Sequence, residues 1–453
     1  MRSMSLKYKS EIIVYLFFDL GTEINLNELL TYLETKKYVE RVEYQETYVG
    51  YELWEKFRPL YVVFKLPRHG IVELGRGKLS LSLDMRVYKI GVCSFRIKAR
   101  PEGEYSDVDT LIRIMRLLRF DKGRRKLLLD NISLAKFIDI IRSDIEQFAE
   151  KHFSQEGINA ARFEESKGYS MNYVSIRVYD IKPIVTAEQL IQEQYSYEIA
   201  GLITWHPEWR SFPLIYVKRM VSNPIPSRFK NSLILVKFPA TLLYLPCAKE
   251  KTWELYSIVI EHCKLEQLLY RIYSRVLRRI LRQLSYSVKS LRGSSDKEMI
   301  FNIQRTIWEL NMLKMDIEKS LRILMRMREL LPLHRLLMVY DELYKESLIA
   351  KERSVVEEGL KSLDLLTKDL FNILLIEYNR KRDEQARHFN KRIGIITVLI
   401  SVLALWNVFS SICTLYAQEI RQFLSQSFIK IIPPLGILLG LVIILLYMKL
   451  KRL

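Results

Sequence analysis

Seven residues near the carboxyl end stand at the alternating three- and four-residue steps that share one face of a helix: Asn390, Gly394, Thr397, Ser401, Ala404, Val408 and Ser411. Nearly all are small or polar, whereas the residues between them are mostly Ile, Leu, Val, Trp and Phe. Two kinds of chemistry fit such a stripe. Small residues let helices approach closely, and hydroxyls can bond across the contact. Alternatively, the oxygens of Asn390, Thr397, Ser401 and Ser411, gathered around an axis, can face a hydrated ion. The sequence leaves both readings open. Further on, Gly436 and Gly440 form a GxxxG, a pattern that serves close helix packing.

No motif for enzymatic catalysis stands out. Gly75-Arg-Gly77-Lys78 lacks the spacing and the following Ser/Thr of a phosphate-cradling P-loop. His69, His152, His206, His262, His334 and His388 are scattered and form no HxxxH or HExxH pair. Cys93, Cys247, Cys263 and Cys413 show no CxxC spacing, so neither a zinc site nor a disulfide framework is indicated.

The elements that must position the stripe are two uncharged apolar runs, Ile393–Ala417 and Ile431–Met448. A bilayer core needs about 20 mostly apolar residues as helix, so the pair reads as a transmembrane hairpin with a short polar link, Gln418–Lys430. Arg380, Lys381, Arg382, Arg387, Lys391 and Arg392 precede the first run, and Lys449, Lys451 and Arg452 follow the second. The link holds only Arg421 and Lys430, partly offset by Glu419. Positive charge marks the cytoplasmic side, which puts both ends of the chain there, in a multi-pass protein of the cell membrane with a cytoplasmic body. The formal net charge of +19 over 453 residues fits an anionic membrane surface or an anionic ligand on the body. Nucleic acid is not specifically indicated.

Four segments follow from texture. Residues 1–120 read as an α/β unit. Strands are expected at Ile12–Phe18, Leu60–Leu66, Leu79–Leu83 and Val87–Ile97, with helices near Asn25–Thr35 and over Ser106–Leu118, the latter capped by Ser106 or Asp107. Residues 121–250 read as a second α/β unit, or the other half of the same sheet. They hold a helix over Ile132–Phe153 and strands at Tyr173–Val178, near Ala200–Trp205 and Leu214–Val217, and at Leu233–Phe238 and Leu242–Leu245. Residues 251–390 read as long helices: one over Trp253–Leu291, one opened by a Ser295–Glu298 capping box, and a last run from about Leu333. That run spans roughly 120 Å if unbroken to Tyr416, at about 1.5 Å per residue, or else bends at Gly359. Residues 391–453 hold the hairpin and a basic tail. The fold class is therefore an α+β cytoplasmic domain, a long α-helical stalk and a C-terminal two-helix transmembrane hairpin.

This layout resembles the CorA-type divalent-cation transporters of the two-transmembrane GxN superfamily, chiefly over Lys251–Leu453. The resemblance implies a homopentamer, a first span lining the pore, a positive ring at the neck formed by the basic residues named above, and a divalent cation such as Mg²⁺ as cargo. It also implies regulatory cations between subunits at acidic stalk residues such as Glu346, Glu352, Glu357, Glu358, Asp364 and Asp369, which otherwise read as a solvated helix face. The family's Gly-Met-Asn signature is missing. The matching place reads Tyr416-Ala417-Gln418-Glu419, so magnesium selectivity does not follow. A membrane-tethered, non-conducting module that binds a ligand with its basic α/β head is the competing reading.

Overall fold

Lys7–Asp19 (β1) is the middle of the molecule because it is apolar on both sides. Val14, Leu16 and Phe18 point one way, and Ile13, Tyr15 and Phe17 the other, and all are buried. A strand covered on both faces must sit inside a sheet that is itself sandwiched. The structure, a computed structural model, describes residues 5–44, 59–74, 77–151, 158–226, 231–290, 296–329 and 334–415. In chain order its elements are β1, α1 (Leu26–Glu34), β2 (Val39–Tyr44), β3 (Leu60–Phe64), β4 (Ile71–Leu74), β5 (Gly77–Val87), β6 (Val92–Pro101), α2 (Val108–Arg119), α3 (Asp121–Arg124), β7 (Leu128–Leu129), β8 (Ile132–Ser133), α4 (Leu134–Lys151), α5 (Ile158–Ser166), β9 (Ser170–Lys182), α6 (Ala187–Ile191), α7 (Glu193–Thr204), α8 (Leu214–Val221), β10 (Leu233–Val236), β11 (Ala240–Tyr244), α9 (Glu250–Ser290), α10 (Asp296–Glu329), α11 (His334–Glu346) and α12 (Ile349–Leu415).

The chain divides into two units, Met1–Phe371 and Asn372–Leu453. The first is an α/β body followed by long helices. Its nine-stranded sheet runs β10-β11-β9-β1-β6-β5-β3-β2, with β4 on β5. Pairing is antiparallel throughout except for β11 on β9, which is parallel, so the sheet is mixed. Strands from before and after residue 120 thus share one sheet. One face carries the apolar core, where Ile12, Val14, Leu16 and Phe18 join Leu29 of α1, Leu111 and Met115 of α2, Ile141 and Ile145 of α4, and Ile199 of α7. The other face is covered by α9, which lies against β1, β6 and β9.

Several sequence expectations need correction. Ala200–Trp205 and Leu214–Val217 are not strands: the first lies almost wholly in α7 and the second in α8. Short apolar runs fit either state. In α7 the helix wins because Ile199, Ala200, Leu202 and Ile203 are all buried there. Val87–Ile97 is not one continuous strand: Val87 ends β5, residues 88–91 make a turn, and Val92–Ile97 belong to β6. Gly91 makes that turn at φ 84°, where a Cβ would stand 1.8 Å from the Thr22 carbonyl oxygen. The last helical run is not unbroken, and its break does not fall at Gly359. It breaks at Ser347–Leu348, with Leu348 left-handed at φ 55°, while α12 continues through Gly359 without interruption. Asn25 and Asp107 do cap their helices, accepting from the amides of Asn27 and Thr110. The Ser295 capping box lies outside the described residues.

Candidate functional site

The face of α9 against the sheet is charged, not greasy. Arg86 of β5 donates to Glu254 and Glu261 of α9. Arg96 of β6 donates to Asp84 of β5 and, at 2.8 Å, to Glu254. Lys98 reaches Asp84 at 2.9 Å. The side chains of Arg86, Arg96 and Glu261 are wholly buried. Burial alone raises Asp84 and Glu254, but the guanidiniums beside them override it and hold both carboxyls below their ordinary range. For Glu261 burial prevails over Arg86 and Arg96, and its pKa is raised. A few residues on, Arg177 donates to Glu11 at 3.1 Å and to Ser257 at 2.6 Å, and Tyr15 donates to Ser257 at 3.0 Å. The sheet and α9 are therefore registered by directional bonds as well as by area.

The same helix pins the start of α12. Lys264 donates to Ser347 and, at 3.3 Å, to Gln267. Gln267 donates to the Ser347 carbonyl at 2.9 Å. Arg271 reaches Glu352 at 2.7 Å, and Tyr340 of α11 donates to Glu266. Lys264 is buried, and among the described residues no carboxylate lies within ion-pair distance. Its ammonium sits 4.2 Å from the Tyr173 ring, and burial pushes its pKa down to about 8. Gln267 thereby satisfies the Ser347 carbonyl where the helix stops and restarts at Ser347–Leu348. Sequence reasoning missed both clusters, because buried charges read as surface charges until their partners are known.

The acidic residues expected as cation ligands are largely taken up by the chain's own bases. Glu346 meets Lys237 at 3.0 Å, Glu352 meets Arg271, Glu357 meets Arg353 at 2.7 Å, and Asp364 meets Lys314 at 2.8 Å. Among the described residues no group of three or more His, Cys, Asp or Glu could hold a metal ion. Of the histidines, His262 is buried against the Tyr88 hydroxyl at 3.2 Å.

In the second unit, Asn390, Gly394, Thr397, Ser401, Ala404, Val408 and Ser411 all lie on α12 and are all exposed. Thr397 donates to the Ile393 carbonyl and Ser401 to the Thr397 carbonyl, each at 2.9 Å, the local bond that hydroxyls make in helices. Nothing lies within 4 Å of where a Gly394 Cβ would be. Around the stripe, Ile393, Ile395, Ile396, Val398, Leu399, Ile400, Leu403 and Val408 are exposed on every side of the helix. Arg380, Lys381, Arg382, Arg387, Lys391 and Arg392 precede them on α12, with Arg380 within reach of Glu377 and Glu384 at 3.6 Å. Among the described residues no helix is long and apolar enough to cross a membrane. Side chains of the first apolar run are described through Ala404 and at Asn407, Val408 and Ser411. Tyr416, Ala417, Gln418, Glu419, Gly436, Gly440, Lys449, Lys451, Arg452 and the whole second run lie outside the described residues.

A sequence-family profile described as "Uncharacterized protein MJ0711, N-terminal domain" matches residues 9–205. The match spans β1 to α7, and so most of the sheet. No curated protein and no solved structure matches the chain.

Proposed function

We propose that this chain is an integral membrane protein of CorA-like architecture. In this reading its two C-terminal apolar runs cross the bilayer as a hairpin, and copies assemble about the first of them. A cation passes along the axis faced by Asn390, Thr397, Ser401 and Ser411, under control of the α/β body. The observation that supports it is the exposure of apolar side chains around the whole circumference of α12 from Ile393 to Val408. A helix that is apolar all round belongs in a core or a membrane, and water is no stable neighbour for such a surface. Along the stripe its polar side chains are Thr397 and Ser401, whose donors are spent on their own helix, while Asn407 lies off the stripe. That leaves oxygen lone pairs, not hydrogens, to present to a cation.

The test is ion flux into liposomes carrying the full-length protein, with Mg²⁺ and monovalent gradients. The reading expects flux above that of empty liposomes and a change when Ser401 or Thr397 becomes Leu. Flux equal to empty liposomes under every gradient rejects conduction. It would favour the tethered binding module, which the Tyr416-Ala417-Gln418-Glu419 sequence in place of the family signature supports.

A further inference from the structure

The sheet comes apart at one point between β1 and β6. Their register runs unbroken from Asp19↔Val92 to Ile12↔Ala99, and β1 then meets the chain beyond β6 only at Tyr8↔Ser106. There the two backbones exchange bonds at 2.8 and 2.9 Å. Between these pairs β1 holds three residues, Lys9–Glu11, and the opposite chain six, Arg100–Tyr105. Bonding direction alternates along a strand, so Ser10, two residues from Tyr8, turns its carbonyl to that side. The residue in register with it is Pro101, which has no N–H to give. The ladder opens here. The chain swings away, with Glu102 donating to the Lys78 carbonyl at 2.8 Å and Gly103 at φ 125°. The opening is a cavity of about 440 Å³ lined by Lys9, Ser10, Arg100, Glu104, Tyr179 and Glu250 among others.

Its walls carry both signs of charge. Arg100 donates from Nε to Glu11 at 2.7 Å, and its guanidinium lies 5.9 Å from the centre of the Tyr179 ring, yet its side chain stays exposed. Glu250, the first residue of α9, is exposed and lies 3.6 Å from Arg177. We propose that this cavity binds the head group of a free α-amino acid. A phosphate-rich anion would meet like charge at Glu104 and Glu250, and a metal cation would meet it at Lys9 and Arg100. A zwitterion finds a partner for each of its ends. Arg100 and Lys9 take the carboxylate. Glu250 takes the ammonium together with the Ser10 carbonyl, the acceptor that Pro101 leaves open. Tyr179 and Pro101 offer apolar surface to the rest of the molecule. The volume falls in the range of small-ligand sites. The proposal does not depend on cation passage.

The test is calorimetric titration of the full-length protein, in a neutral detergent, with each common α-amino acid. Saturable binding of at least one is expected. The N-acetyl and carboxamide forms of that amino acid should each bind at least about tenfold more weakly, the size of a lost charge-assisted hydrogen bond. Glu250→Gln should weaken the amino acid by a similar factor and leave the N-acetyl form unchanged, because that form has no ammonium to lose. If this variant does not fold, the comparison of ligand forms on the unaltered protein carries the test. Arg113→Ala, exposed on α2, should leave binding unchanged. Absence of saturable binding by every amino acid, equal affinity for the N-acetyl form, or equal weakening by Arg113→Ala overturns the proposal.

Discussion

Glu254→Gln removes one charge from a largely buried ionic cluster and changes almost no volume. Arg86, Arg96 and Lys98 stand three against three with Asp84, Glu254 and Glu261 between the sheet and α9, and Arg177, paired with Glu11, also lies 3.7 Å from Glu254. The substitution leaves one uncompensated positive charge beside two guanidiniums that have no access to water. Breaking a buried pair in this way costs about 3–5 kcal/mol. Glu254 keeps 17% of its side chain exposed, which places the expectation near the lower figure, about 3 kcal/mol. For a domain of this size that is a drop in melting midpoint of roughly 5–10 °C, readable by circular dichroism of the full-length protein in detergent. Adding Arg86→Met restores the balance at two against two and should recover part of the loss, because an ion pair replaced by apolar groups is often neutral. A midpoint within about 1 °C of the wild type, or a double variant weaker than the wild type by the full sum of both single changes, would refute the balance argument.

Two further predictions concern the body. Lys264 has a folded pKa of about 8 against an ordinary 10.5, so the unfolded chain holds its proton more tightly. Stability should therefore be lowest below pH 8, climb between about 8 and 10.5, and level off above, by at most about 3 kcal/mol. Lys264→Met should flatten that rise in denaturant titrations from pH 7 to 10.5, and equal slopes in both proteins would contradict it. Gly91→Ala places a methyl group against the Thr22 carbonyl at a left-handed φ and should cost more than about 3 kcal/mol, combining backbone strain with overpacking. A shift of under about 1 kcal/mol in the same titration would show that the turn between β5 and β6 yields easily.

Much of the body was legible because its elements obey one period each. β1 reads as a buried strand from its apolar content, α2 from Asp107 and the residues after it, and α10 from Ile303, Leu310, Leu313 and Ile317, all buried as the spacing requires. What escaped was decided by partners distant in sequence. Arg86 and Glu261 lie 175 positions apart, and no local pattern marks either as buried. The break at Ser347 depends on Lys264 and Gln267, about 80 residues away. Residues 200–205 and 214–217 were too short for periodicity to separate helix from strand. The α12 stripe is local, so its spacing was readable from the sequence, and the helix keeps it on one face.

The central claim is that the two C-terminal apolar runs cross a bilayer and gather copies of the chain about the first. The most direct measurement is extraction of the full-length protein followed by its mass in solution and an image down the symmetry axis. The account predicts a protein released only by detergent, as a closed ring of several copies, five if the CorA likeness extends to assembly, with residues 390–411 at the centre. A monomer that stays in solution without detergent would contradict it.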